Sequence, residues 1–218
     1  MKKVFFIAFL LIAFSFNTYG QPGKGDVELG VDVGYNFSLI LNSRGISGAT
    51  DGVNFAGAID YYFSDRWSLK GKVIYDQKGW DGEIYFGPGF WIRSEYDKIY
   101  ELNYITVPIM ANFHFGKKRN WYVDFGPYLG FLLDAENTTT SMSITNVFNP
   151  IDVGFAYGIG VKIPLNNNLT VFFEIDEQGG LKNIFKDFNY DYNNEFGLNI
   201  RGSLNVGLIY QIKKSKPE

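Results

Sequence analysis

Apolar and polar residues alternate one by one along much of the chain, and this period of two constrains the fold more than any other feature. Between residues 26 and 37, every odd position carries Val, Leu, Tyr or Phe, and every even position carries Asp, Glu, Asn or Gly. Successive side chains of an extended strand point to opposite faces, so the pattern is typical of a β-strand with one apolar and one polar face.

The same alternation recurs in seven later segments. Eight strands are an even number, as closed antiparallel barrels of the bacterial outer membrane have. We therefore predict an all-β fold, an eight-stranded antiparallel up-and-down transmembrane β-barrel. The seven later strands are expected near residues 53–63, 67–76, 104–115, 121–133, 152–163, 169–175 and 196–212.

The links between these strands alternate in length. Short turns are expected at 64–66, 116–120 and 164–168, and longer links at 40–52, 77–98, 134–151 and 177–195. Outer-membrane barrels have short periplasmic turns and longer extracellular loops. The pattern therefore predicts an outer-membrane location with both termini in the periplasm.

A water-soluble, lipocalin-like barrel is the alternative, because alternation alone does not show which face lies inside. An apolar interior would crowd many Phe, Tyr and Trp side chains into an eight-stranded barrel, whereas a polar interior is relieved by its glycines. Aromatic residues also gather on the apolar face beside the short turns, where an interfacial girdle would lie. The glycines of the polar face are Gly30, Gly34, Gly126, Gly130, Gly154, Gly158 and Gly160. The aromatic residues beside the short turns are Phe63, Trp67, Phe115 and Trp121.

The N-terminus has the pattern of a secretory signal peptide. Lys2 and Lys3 precede an apolar run over residues 4–16, which is shorter than the about 20 residues of a transmembrane helix. A buried N-terminal helix is the alternative, but nothing polar recurs in the run at helical spacing. We expect cleavage after Gly20. The chain then divides into a signal peptide over 1–20, one barrel domain over 21–212 and a polar tail over 213–218.

Composition excludes several classes of protein. The chain contains no cysteine, which argues against a thiol-anchored lipoprotein and a disulfide-stapled secreted domain. Loss of Lys2 and Lys3 with the signal peptide would change the formal net charge from −3 to −5. An acidic chain of this kind is not expected to bind nucleic acid.

The search for catalytic or metal-binding residues yields little. His114 is the only histidine, so a zinc site is not expected, and its inward position disfavours a Ser-His-Asp hydrolase acting on lipid. Asp187, Asp191 and Glu195 lack the ordered spacing of an EF-hand. We predict no enzyme activity, no cofactor and no metal.

The predicted polar face collects charged residues of both signs. Inside a narrow barrel such charges must be paired or hydrogen-bonded, so we expect a plug of salt bridges, with Arg201 lying among Glu28, Asp32 and Glu174. An ion-conducting or gated pathway is the alternative, although eight strands leave no wide channel. The expected set is Glu28, Asp32, Asp60, Lys70, Lys72, Asp124, Lys162, Glu174 and Arg201.

The long links contain many aromatic residues. Such a density of exposed rings is typical of a contact surface, whereas the alternative is that the rings pack on each other or extend the barrel as a hairpin. The expected contact residues are Trp80, Tyr85, Phe86, Phe90, Trp91, Tyr190 and Tyr192.

Three short motifs carry a resemblance to a known family. They are the stretch 102–109 (LNYITVPI), the stretch 125–130 (FGPYLG), and Asp152-Val153-Gly154 followed by Gly158-Ile159-Gly160. In order and spacing the chain resembles the outer-membrane β-barrel domain of Bacteroidota, labelled porin family, which includes PorT-like and OmpX-like barrels. The resemblance covers nearly all of the chain after the signal peptide, but no residue selects the PorT-like subgroup.

The resemblance implies outer-membrane lipid and the barrel-insertion machinery as partners. Barrels of this family usually end on an aromatic residue, whereas Tyr210 is followed here by Gln211, Ile212 and a polar tail, so recognition would depend on Tyr210 or Ile212. Two functions remain open. One is a structural or surface-binding barrel, and the other is an accessory component of a secretion or envelope complex that binds an envelope protein through its loops.

Overall fold

The computed structural model describes residues 21–42, 45–82, 99–186 and 196–213. These residues form one closed antiparallel sheet. The predicted signal peptide lies outside the described residues, as does the tail after Lys213. Among the described residues, no helix is both long enough and apolar enough to cross a membrane.

Eight long strands form the wall of the barrel, and two strands of two residues extend its rim. The short strands are β2 (Gly45–Ile46), paired with β1, and β7 (Met142–Ser143), paired with β6. A 3-10 turn at Thr145–Val147 follows β7. The long strands are β1 (Val27–Asn42), β3 (Thr50–Tyr62), β4 (Trp67–Asp81), β5 (Ile99–Phe115), β6 (Trp121–Asn137), β8 (Ile151–Pro164), β9 (Leu169–Gly180) and β10 (Gly197–Ile212).

The first and last strands close the barrel. β1 pairs with β3 on one side and with β10 on the other, in a register that runs from Val27 opposite Ile212 to Asn42 opposite Gly197. Each remaining long strand pairs antiparallel with its neighbours in the sequence. The predicted eight-stranded antiparallel barrel is therefore confirmed.

The strands continue further toward the long links than the sequence predicts. β4 runs to Asp81, five residues into the predicted link 77–98, and β5 begins at Ile99, before the predicted strand start at residue 104. Trp80 therefore pairs with Tyr100, and the gap between the two strands is shorter than predicted. Backbone pairing continues here although the side-chain alternation of the sequence weakens. The predicted short turns agree with the observed gaps between strands.

The apolar face lies on the outside of the barrel. Val31, Phe55 and Leu69 are 61 %, 54 % and 51 % exposed, whereas Asp32 and Lys70, on the other face, are 5 % and 6 % exposed. A water-soluble barrel would bury the apolar face, so the lipocalin-like alternative is wrong. The expected girdle residues Phe63, Trp67 and Trp121 are also exposed, by 37 to 48 %.

Inward glycines make room for tyrosines in the interior. Tyr122 lies opposite Gly160 in the register of β6 and β8, and Tyr128 lies opposite Gly154. Both tyrosines are 1 % exposed. A Cβ atom at residue 160 would lie 2.3 Å from Cζ of Tyr122, which is far inside van der Waals contact. The ring of Tyr122 therefore occupies the space that a side chain at 160 would need.

We predict that Gly160→Ala lowers the thermal stability of the folded barrel, because overpacking typically costs about 1 to 3 kcal/mol. Gly202→Ala is the matched control, since a Cβ at residue 202 meets no atom within 4 Å. The measurement is the midpoint of heat modification on unheated electrophoresis in detergent. Equal midpoints for the two variants would contradict the assigned packing.

Candidate functional site, the charged interior of the barrel

The structure places all nine charged side chains expected in the interior on the inner face of the barrel, none more than 6 % exposed. It adds four more that the sequence set did not include. Asp76, Lys78 and Asp152 are buried, and the side chain of Asp176 is 13 % exposed. The alternation could have found them; on β4, for example, Asp76 and Lys78 lie an even number of residues after Lys70 and Lys72 and so share their face.

The charges form three layers, of which the first, the short-turn layer, lies near the short turns. Lys162 forms an ion pair with Glu28 and lies 2.9 Å from the hydroxyl of Tyr62, which itself donates to Glu28 over 3.0 Å. Asp60 lies opposite Glu28 and accepts a hydrogen bond of 2.9 Å from Asn112. Lys162 also lies 3.9 Å from Asp60 and holds the two carboxylates together.

His114 lies in the same layer and is 1 % exposed. Its Nε2 is 3.0 Å from the hydroxyl oxygen of Ser68, which is fully buried, and its ring stacks on Tyr62 with centroids 4.9 Å apart. A serine and a histidine at this distance can form a nucleophile and base. The burial of both groups inside the barrel separates them from lipid, so the geometry favours a packing role.

The middle layer is built around Glu174. Lys70 and Lys72 each lie 3.1 Å from one of its carboxylate oxygens, and the hydroxyl of Tyr122 donates to it over 2.7 Å. Lys70 also forms an ion pair with Asp124 and lies 4.3 Å from the ring centroid of Tyr122. Three strands, β4, β6 and β9, contribute to this one cluster.

The long-link layer contains Arg201. Its guanidinium forms ion pairs with Asp76, where Nε lies 3.1 Å from Oδ1, and with Asp176. Asp76 also accepts a hydrogen bond of 3.1 Å from Thr106. One cation on β10 thus joins carboxylates on β4 and β9.

The expected partners of Arg201 need correction. Arg201 pairs in register with Gln178, whereas Glu28 lies opposite Gln211, ten residues further along β10, and Glu174 lies opposite Asn205. The sequence shows which face a residue occupies but not its depth along the barrel. Arg201 therefore lies too far toward the long links to pair with Glu28, Asp32 or Glu174.

Asp152 is the second centre of the long-link layer. Lys78 lies 3.3 Å from its Oδ2, and the same oxygen accepts hydrogen bonds from Tyr128 over 3.1 Å and Asn199 over 2.9 Å. The ammonium of Lys78 also lies 5.0 and 4.8 Å from the ring centroids of Tyr104 and Tyr128. Cation–π contact of this kind helps to stabilise a buried ammonium group.

An apolar cap closes the barrel above the long-link layer. Trp80 is fully buried in it and stacks on Tyr100 with centroids 4.8 Å apart. The cap joins inward residues of the strand ends to residues of two long links. Its members are Ile40, Trp80, Tyr100, Leu102, Tyr104, Ala135, Ile144, Phe148, Ile184 and Phe185.

The links that follow β6 and β9 hold each other across the mouth of the barrel. Phe148 pairs with Phe185 as an isolated β-bridge. The side-chain amide of Asn149 donates to the carbonyl oxygens of Asn183 and Phe185 over 2.9 and 2.8 Å. The backbone amide of Lys186 donates to a carbonyl of the other link over 2.9 Å. The described part of the link after β9, residues 181–186, is therefore held against the link after β6.

Trp80 corrects the expected contact surface. It was predicted as an exposed loop residue, but it continues the inward register of β4 after Asp76 and Lys78 and is buried in the cap. The other six predicted contact residues, Tyr85, Phe86, Phe90, Trp91, Tyr190 and Tyr192, lie outside the described residues.

Comparisons with known proteins agree with this architecture. The profile of a family described as outer membrane protein beta-barrel domain matches residues 14–186. No curated protein matches the chain. Among solved structures, the outer membrane protein OprG from Pseudomonas aeruginosa is 10 % identical with a TM-score of 0.51, over 88 % of this chain and 98 % of its own. The outer membrane protein AlkL is 11 % identical with a TM-score of 0.52, over 94 % and 98 %.

We predict that Arg201→Leu lowers the midpoint of heat modification markedly. Removing one partner of a buried ion pair leaves uncompensated charge and typically costs about 3 to 5 kcal/mol, and here the carboxylates of Asp76 and Asp176 would be left. Leu204→Val on the lipid-facing side, where residue 204 is 53 % exposed, keeps an apolar side chain and should change the midpoint little. An Arg201→Leu barrel as resistant as the wild type would contradict the assigned pairing.

Proposed function

Because this chain belongs to the outer membrane protein beta-barrel domain family, we propose that it is an integral outer-membrane protein with a plugged, non-conducting interior. Its role in the cell would be structural or surface-binding. The observation that carries the proposal is that the interior is filled along the barrel axis. Three layers of ion pairs lie one above the other, and an apolar cap lies above them at the end with the long links.

The ion pairs support a plug because they cross the interior rather than follow its wall. Lys162 on β8 reaches Glu28 on β1, and Lys70 on β4 reaches Glu174 on β9. An ion passing through would have to separate such pairs, which costs several kcal/mol for each charge left without its partner. The cap adds a second barrier, since most of its side chains are apolar and would not solvate an ion.

The surface-binding part of the proposal rests on the long links. The described parts of two of them pack together at the mouth, where Phe148 and Phe185 are bridged and buried. These packed parts would present a fixed surface outside the membrane, where a protein or glycan partner can bind with little cost in loop ordering. Binding to an accessory partner of a secretion or envelope complex would use the same surface.

We predict no conductance steps from the wild-type protein in planar lipid bilayers. Trp80→Ala, which opens the cap, should also be silent because the three layers of ion pairs remain. A heat-modifiable shift of the same proteoliposomes verifies that the barrel has inserted. Reproducible steps from the wild type would contradict the plug and favour a gated pathway.

The proposed orientation places the long links outside the cell and the short turns in the periplasm. We predict that an epitope tag at Thr139 is bound by antibody on intact cells, while a tag at Lys118 is bound only after the outer membrane is permeabilised. Both positions are exposed in the structure, so accessibility reports topology and not burial. The reverse labelling pattern would invert the barrel.

A further inference from the structure

Two of the three short turns are linked to each other at one side of the barrel. The backbone amide of His114, at the end of β5, donates to the carbonyl of Arg66 in the turn between β3 and β4 over 2.7 Å. The guanidinium of Arg119, in the turn between β5 and β6, donates to the carbonyl of Asp65. Its Nε also donates to the side chain of Gln21 over 2.8 Å. The two turns therefore form one fixed surface, with Arg119 as the link.

This surface is strongly basic. The two turns contain four basic residues and a single carboxylate, that of Asp65. Arg66, Lys117 and Lys118 are exposed, and we call these three residues the basic pad. The third short turn, residues 165–168 between β8 and β9, contains no charged residue. The positive charge of the short turns is therefore confined to one side of the barrel.

A row of aromatic side chains lies next to the basic pad on the lipid-facing side. Trp67 follows Arg66 in the chain and packs against Phe113 with ring centroids 4.8 Å apart. Phe113 stacks on Phe115 at 6.4 Å, and Phe115 stacks on Trp121 at 6.5 Å. Aromatic girdles of membrane barrels lie at the level of the lipid headgroups. The aromatic row therefore places the basic pad at the surface of the bilayer.

The same strands have the opposite charge at their other end. Glu101 on β5 lies opposite Glu136 on β6, and Asp134 precedes Glu136 by two residues on the same face. Among the described residues of this end, 99–103 and 133–144, there is no Lys or Arg. Basic side chains that served only to reach water would be as useful here as at the short turns. Their restriction to one end indicates that this end faces an anionic surface.

We propose that the basic pad binds the phosphate headgroup of an anionic phospholipid in the leaflet that the short turns face. The ammonium groups of Lys117 and Lys118 and the guanidinium of Arg66 would donate to phosphate oxygens, and such charge-assisted hydrogen bonds are strong. The aromatic row would pack along the upper part of the acyl chains. Because the two turns are already linked, binding costs little in ordering them.

The position of the aromatic row is what favours a lipid over other anions. A soluble phosphate or an acidic periplasmic protein could contact the basic pad, but only a lipid contacts the pad and the lipid-facing rings together. The proposal rests on insertion of the barrel into a bilayer and is independent of the plug.

The test measures lipid selectivity by quenching of tryptophan fluorescence, since Trp67 and Trp121 belong to the aromatic row. The barrel is reconstituted in vesicles of phosphatidylglycerol and phosphatidylcholine, with brominated acyl chains on one lipid or on the other and the same composition otherwise. We expect phosphatidylglycerol to associate at least about fivefold more strongly at low salt, the effect of roughly one basic residue at a charged membrane surface. The preference should nearly vanish in about 1 M NaCl, where the Debye length is about 3 Å.

Two double variants of equal net charge localise the effect. Lys117→Gln/Lys118→Gln should remove most of the preference for phosphatidylglycerol. Lys182→Gln/Lys186→Gln removes two exposed ammonium groups from the long-link end instead and should keep the preference of the wild type. The heat-modifiable shift of each reconstituted protein verifies that it is folded and inserted, and its absence would count against the proposed membrane protein and not against the lipid site.

Equal association of the two lipids with the wild type would overturn the proposal. An equal loss of preference in both double variants would also overturn it and would assign the effect to net charge. Loss of the preference in inorganic phosphate, but not in NaCl of equal ionic strength, would overturn the lipid assignment in favour of a soluble anion. None of these outcomes bears on the plug, which is tested by conductance.

Discussion

The pairing of charges inside a closed barrel is the interaction on which the rest of this structure depends. A barrel whose outer face is apolar must place its polar residues inside, and eight strands leave that interior just wide enough for side chains. The charges then have little water to solvate them, so each must find a partner on another strand. Glu174 shows the result, since it receives Lys70, Lys72 and Tyr122 at once.

These pairs also fix the register of the sheet. A shift of one residue would turn a whole strand inside out, and a shift of two would keep the faces but separate charges such as Arg201 and Asp76. The outer face imposes a weaker constraint, because lipid requires only that a side chain be apolar. Shape is equally specific inside, where the ring of Tyr122 uses the space left by Gly160. The interior therefore specifies this barrel more strictly than its lipid-facing surface.

The sequence predicts well whether a residue faces the interior or the lipid. It predicts poorly how far along the barrel axis that residue lies. Strict alternation assigns Lys70 and Glu174 to the same interior, because it depends only on the two-residue repeat of a strand. It carries no information on stagger between strands, so the partners of Arg201 could not be found. Trp80 was misplaced for a different reason, since its strand continues past the point where composition turns aromatic and glycine-rich. The inward folding of Phe148 depends on contacts between two links that no local pattern records.

A plugged interior would keep water-soluble molecules out of the middle of the barrel. The chain contains no cysteine, so Ser203→Cys would introduce a single thiol at a position that is 2 % exposed and lies opposite Asp176. The rate of its reaction with a charged methanethiosulfonate reagent measures access directly, with exposed Thr139→Cys as the reference. If the interior is plugged, Ser203→Cys is not labelled in the folded barrel and is fully labelled after heating. Labelling of the folded barrel at the rate of the reference would contradict a plugged interior.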